Sequence, residues 1–185
     1  MSILQPTDGP TPLTVALIAA GMRLVKEAGA PVPAMNLAGT LYLSSSGYLL
    51  LGVPNALVRG VYQAMREPGV ELPPGGPGVE FNAHITVFRP EEVAKIGGPE
   101  KVTERGKQFH YALGRLMSLD TPNGWEEISK VWYLRVHSIE LQNLRKSYGL
   151  SATPNEGKYD FHVTVAVRKK NVLRDNEKAV SRVSA

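Results

Sequence analysis

The 185-residue chain contains no cysteine, which excludes a disulfide framework and thiolate chemistry and is compatible with a reducing compartment. Long hydrophobic runs are missing as well. The most apolar stretch near the start, residues 13–20, is soon interrupted by Arg23, Lys26 and Glu27 and is too short to span a bilayer. Where a secretory signal would place a basic region and an apolar segment, Gln5, Pro6, Asp8 and Pro10 stand instead, so a soluble, cytoplasmic protein with no membrane partner is the expectation. Charge of one sign is in small excess only: 21 Lys+Arg against 17 Asp+Glu leave a formal +4, which suits an anionic substrate without itself pointing to nucleic acid. What remains is a chain with 43% hydrophobic residues, enough for one well-buried domain or two small lobes sharing a core.

Residues 1–11 read as a flexible leader. Pro12, the apolar Leu13, Leu17, Ala20 and Leu24, and Gly29 as a stop then describe an amphipathic helix. After a proline-containing connection, residues 40–43 and 48–53 read as strands joined by the Ser44-Ser45-Ser46-Gly47 turn. A helix follows from Pro54 and Asn55 to Arg66, with Leu57, Val61 and Met65 on one face. The Pro- and Gly-rich stretch 72–79 is a surface connection, because its prolines remove the amide donors that a phosphate-cradling loop needs. Further on, Phe109, Leu113 and Leu116 predict a helix over residues 99–118, and residues 131–136 a strand. Ser138 caps a helix that stops at Gly149. Strand, helix, strand over residues 40–88 is thus echoed over 131–167, the pattern of a pseudo-two-fold α+β fold with antiparallel sheets and flanking helices.

Both echoes end on the same phrase, His84-Ile85-Thr86-Val87 and His162-Val163-Thr164-Val165. On a strand, residues two apart share a face at roughly 6.5–7 Å. Each imidazole therefore looks the same way as its hydroxyl, while Ile85, Val87, Phe161, Val163 and Val165 turn to the core. Cleaving a phosphodiester needs one group to take a proton from the attacking oxygen and one to give a proton to the leaving oxygen, and histidine does either near neutral pH. A threonine hydroxyl can donate to a non-bridging phosphoryl oxygen as charge builds there. Neither phrase has a carboxylate at helical ligand spacing, so no metal and no cofactor is expected, although Asp160 stands two residues before His162. His110 and His137 have no partner phrase and read as structural or surface residues.

These paired phrases resemble the two-histidine (2H) phosphoesterase superfamily, built around two His-x-Thr/Ser-x motifs. The segment from Trp132 to Leu150, ending in Leu144-Arg145-Lys146-Ser147-Tyr148-Gly149-Leu150, is similar to the strand and helix that often precede the second motif. The likeness runs over residues 40–168; the leading helix and the insertion after Phe88 depart from it. It implies a bilobal fold, and the chain is expected to form a single domain over residues 12–168 followed by a charged tail over 169–185. It also implies metal-independent hydrolysis or transesterification of 2′,3′-cyclic, 2′,5′-linked or 3′,5′-linked phosphodiesters of nucleotides or oligonucleotides. Some members of similar scale in bacterial viruses destroy cyclic oligonucleotide alarm signals, an anti-CBASS role. By motif position His84 and His162 would be the acid/base pair, and Thr86 and Thr164 the phosphate ligands. Tyr42, Trp132 and Tyr133 are candidates for stacking on bases, and Arg89 for assisting at the phosphate, with Arg135 and Arg168 near in sequence. No obligatory protein partner is evident. Two other classes stay open: a non-catalytic nucleotide- or RNA-binding module using the same cleft, and a scaffold in which the paired phrases lie far apart.

Overall fold

The computed structural model describes residues 37–65, 67–74, 82–120 and 124–170. The leader, the helix expected over 12–28, the Pro/Gly stretch beyond Pro74 and the tail beyond Lys170 lie outside the described residues. In chain order the elements are β1 (Leu37–Leu43), β2 (Leu49–Gly52), α1 (Asn55–Met65), β3 (His84–Phe88), α2 (Pro90–Lys95), a 3-10 turn (Pro99–Lys101), β4 (Gln108–Asp120), β5 (Ile128–His137), α3 (Ile139–Ser147) and β6 (His162–Lys169).

The strands form one antiparallel sheet in the order β3-β2-β1-β4-β5-β6. The chain repeats a unit: β1-β2-α1-β3, then β4-β5-α3-β6. The β1–β4 pairing, from Leu37 opposite Tyr111 to Thr40 opposite Gln108, is the seam. A pseudo-two-fold through that seam exchanges the motif strands β3 and β6, which also touch each other, so the sheet is curled on itself. Each half's helix reaches the other half: α1 packs against β6, and α3 against β3 as well as β4 of its own half.

Alternation assigns the two faces. Leu41, Leu51 and Ile85 stand on one cross-strand rung and are fully buried, as are Leu134 and Val163 on the matching rung of the second half. Leu57, Val58 and Val61 of α1, with Leu141 and Leu144 of α3, cover that face. The opposite, open face carries the rungs Tyr42–Leu50–Thr86 and Met117–Tyr133–Thr164.

The helix expected over 99–118 is instead the short 3-10 turn and strand β4. Phe109, Tyr111 and Leu113 alternate onto the core with the period of a strand, and a bulge between Leu113 and Leu116 then shifts the phase. The three-residue step imitates the i, i+4, i+7 spacing of a helix. With β4 in place, both halves have the same four elements. A smaller correction concerns Lys169, which ends β6 and pairs with Glu71 at 2.8 Å rather than opening a tail.

The loops are tied by a buried ion pair. Arg145 on α3, fully excluded from solvent, donates to both carboxylate oxygens of Glu92 at 2.9 and 2.6 Å, to the carbonyl of Ser151 at 2.8 Å and to the carbonyl of Val87 in β3. Glu92 in turn accepts from the backbone of Arg89 at 2.9 Å and Asn155 at 3.2 Å. Motif strand β3, helix α2 and the loop ahead of β6 therefore meet at one guanidinium.

Candidate active site

In β3 the core-facing Ile85 and Val87 leave His84 and Thr86 on the open face, and in β6 Val163 and Val165 do the same for His162 and Thr164. Each ring is oriented by a carbonyl two residues upstream: Nδ1 of His84 lies 2.6 Å from the oxygen of Asn82, and Nδ1 of His162 lies 2.8 Å from the oxygen of Asp160. A carbonyl only accepts, so Nδ1 carries the proton in both rings and Nε2 is left as the titrating nitrogen. Two imidazoles with the same tautomer and opposite approach can serve interchangeably as base and acid.

The rings sense each other. Crowding by protein atoms lowers the pKa of His84 from its ordinary value, the Asn82 carbonyl opposes this, and the charge of His162 lowers it further. His84 nevertheless reaches solvent, as a group at the base of an open site must. Neither threonine hydroxyl has a hydrogen-bond partner among the described residues, so both are free to donate to a ligand.

Tyr133 lies beside one ring, and Tyr42 beside the residue opposite the other. Gly52 stands opposite His84 across β2–β3. A Cβ there would lie 3.6 Å from the ring of Tyr42, so the absent side chain leaves that ring its place. Burial raises the pKa of the Tyr42 hydroxyl. On the other side, Tyr133 meets the His162 ring edge-on, centroids 5.4 Å apart at 64°. Arg135, opposite His162 in the β5–β6 register, pairs with the carboxylate of Asp160 at 2.6 Å. Of the three arginines near the motifs, it is the one beside a motif histidine.

Two sequence candidates lie elsewhere. Trp132 is on the helix-covered face of β5, in the main core and 6% exposed, between Lys130 at 5.3 Å and Arg168 at 5.1 Å from its ring centre. Arg89 lies beyond the far end of β3 from His84, at the N-terminus of α2, where its Nε pairs with Glu91 at 2.7 Å. Arg168 is also engaged away from the histidines, with Glu67 at 3.2 Å. His110 bonds Glu140 through both its backbone and its ring. Sequence reasoning singled out Asp160 but missed that its carbonyl is the contact and missed Asn82 altogether, although the place two residues before each histidine is a local signal. Among the described residues, no three His, Asp or Glu side chains gather as a metal ion would require.

An antiparallel sheet doubled about a pseudo-two-fold, with a His-x-Thr strand from each half meeting on its open face, is the architecture of a two-histidine phosphoesterase. The family described as Swiss Army Knife, 2H phosphoesterase domain, matches residues 55–173, well over half of the chain, and the chain belongs to it. No curated protein and no solved structure matches the chain. The family establishes phosphodiesterase-type activity in general terms, on a nucleotide-type substrate, and no helix among the described residues is long and apolar enough to cross a membrane.

Proposed function

We propose that the protein cleaves a phosphodiester joining two nucleosides, with His84 and His162 as the acid/base pair and no metal in the step. The supporting observation is that two imidazoles within electrostatic reach each have Nδ1 tied to a backbone carbonyl, leaving both Nε2 atoms for the reaction. In the forward step Nε2 of one ring takes the proton from the attacking oxygen, a water or an adjacent ribose hydroxyl. The new P–O bond forms as the bond to the departing oxygen breaks, and the other, protonated ring supplies that oxygen's proton. The lowered pKa of His84 favours its neutral form and so its use as the base. Thr86 and Thr164 donate to the non-bridging oxygens, where an oriented donor is worth most as charge develops.

A tyrosine on each side, Tyr42 by His84 and Tyr133 by His162, supports a substrate with a base on both sides of the scissile phosphate, such as an oligonucleotide or a cyclic dinucleotide or trinucleotide. The anti-CBASS type of activity falls within this class. The test is a screen of 2′,3′-cyclic mononucleotides, 2′,5′-linked oligoadenylates and cyclic oligonucleotides with EDTA present, on the wild type and on His84→Ala and His162→Ala. Turnover of a two-base substrate, lost in each variant while binding survives, is expected. Full turnover by both variants, or loss of activity to EDTA with rescue by a divalent ion, overturns the mechanism. Tight binding without turnover of any diester means a nucleotide-binding module.

A further inference from the structure

We infer that Asn55, the first residue of α1, is the positioning residue of His84, acting through the single peptide group between Asn82 and Ala83. The side-chain oxygen of Asn55 accepts from the backbone N–H of Ala83 at 2.8 Å. That N–H belongs to the same peptide plane as the Asn82 carbonyl, which accepts from Nδ1 of His84 at 2.6 Å. The carbonyl of Ala83 is held in turn by the N–H of Val53 at 2.9 Å, and Ala83 is buried. Donation of the N–H to Asn55 therefore sets the plane of this peptide and polarises its carbonyl toward the imidazole, as successive hydrogen bonds in a chain polarise one another. The result is a relay from amide side chain to peptide to ring.

The other half of the fold lacks it. The carbonyl of Phe161 accepts from Val136 at 2.8 Å, as that of Ala83 does from Val53, but among the described residues no side chain accepts from the Phe161 N–H. Asp160 has its carboxylate on Arg135 instead. Two motifs of one His-x-Thr-Val pattern are thus held by different devices, and a change at Asn55 acts directly on one histidine. His162 on β6, whose charge His84 feels, and Tyr42, whose ring lies over Gly52 opposite His84, are not themselves altered by such a change.

The inference rests on His84 being one of the acid/base pair, and the experiment separates the two. Nitrogen-15 NMR of the full chain follows the tautomer and titration of each imidazole in Asn55→Ala and Asn55→Asp, beside pH-rate profiles. In Asn55→Ala the weakened Asn82 bond lowers the His84 pKa further and moves its proton toward Nε2, while the His162 ring keeps its tautomer. The rate constant kcat falls on the order of ten- to a hundred-fold, as for loss of outer partners of metal-bound histidines, with KM little changed. Asn55→Asp keeps the acceptor oxygen, restores the Nδ1–H tautomer and most of kcat, and raises the His84 pKa through its added charge. It carries the test even if the alanine variant does not fold. An unmoved His84 in both variants, or equal shifts of His84 and His162, overturns the role of Asn55. An active His84→Ala instead overturns the acid/base reading and leaves the NMR result standing.

Discussion

Replacing Arg145 by methionine removes the cation from a carboxylate that stays buried. Glu92 is 8% exposed and its two oxygens receive both guanidinium donors. Stripping one partner from such a pair costs about 3–5 kcal/mol, because the remaining charge is left without compensation. For a chain of this length that is a fall in Tm on the order of 10 °C. The pH dependence makes the argument specific. Burial alone would push the Glu92 pKa up, but the hydrogen bonds and charge of Arg145, with backbone donors from Arg89 and Asn155, outweigh it and hold the carboxyl below its ordinary value. In the wild type this ionised group contributes stability above the unfolded pKa, and the contribution is lost as pH falls through the lower folded pKa. Without Arg145, burial acts against only the two backbone donors, the pKa rises, and protonation relieves the stranded charge. The deficit of Arg145→Met, measured by urea denaturation, is therefore largest near neutral pH and shrinks toward about pH 5. Adding Glu92→Gln recovers most of the loss at neutral pH, whereas Arg145→Lys recovers little, since an ammonium cannot match a carboxylate bidentately. A variant within about 1 kcal/mol of wild type, or one whose deficit grows on acidification, refutes the account.

The lowered pKa of His84 means that the unfolded chain binds more protons than the folded one just below the ordinary histidine value of 6.5, so its contribution to stability rises with pH through that window. In His162→Ala one source of the lowering is gone and His84 titrates closer to 6.5; an NMR titration that shows no upward move contradicts the proximity of the rings. Thr86→Val and Thr164→Val each lower kcat about 10²–10³-fold, the cost of one oriented donor, while the serine variants retain most of it; valine variants with wild-type kcat remove the threonines from the phosphate. Tyr133→Ala raises KM for a two-base substrate, whereas Trp132→Phe lowers stability and leaves KM alone; the reverse outcome in steady-state kinetics would put Trp132 on the substrate side of β5.

The two motif strands were legible because strict alternation needs no tertiary information: Ile85, Val87, Val163 and Val165 mark the core face and the histidines follow by parity. Strand β4 was not, because its bulge makes Phe109, Leu113 and Leu116 fall on helical spacing, and only pairing with β1 and β5 reveals the strand period. Parity separates Tyr133 from Trp132, but which of the two shares a face with His162 depends on the β5–β6 register, and a further irregularity lies between those residues. Arg145 was legible only as part of the Leu144–Leu150 phrase; its partner Glu92 is 53 positions away, and no local pattern links the two. Local devices are visible in a sequence, and long-range polar partners are not.

The place of His84 depends on how closely β2 packs on β1, and a glycine in β1 tests this. A Cβ at Gly39 would collide with the carbonyl oxygen of Gly52 and come within 2.9 Å of the Leu51 side chain. Gly52 is the residue opposite His84, and Leu51 is in the core. Because the obstruction is backbone and packed side chain, β2 must shift, taking His84 and the place of Tyr42 with it. Overpacking of this kind costs about 1–3 kcal/mol. Gly39→Ala therefore loses stability together with kcat, although position 39 touches neither histidine. Gly124→Ala is the control: its φ of +79° imposes strain, but nothing lies within 4 Å, so it loses about 1–2 kcal/mol and keeps its kcat. If Gly39→Ala melts and turns over like wild type, the close approach of β1 and β2 does not govern the place of His84.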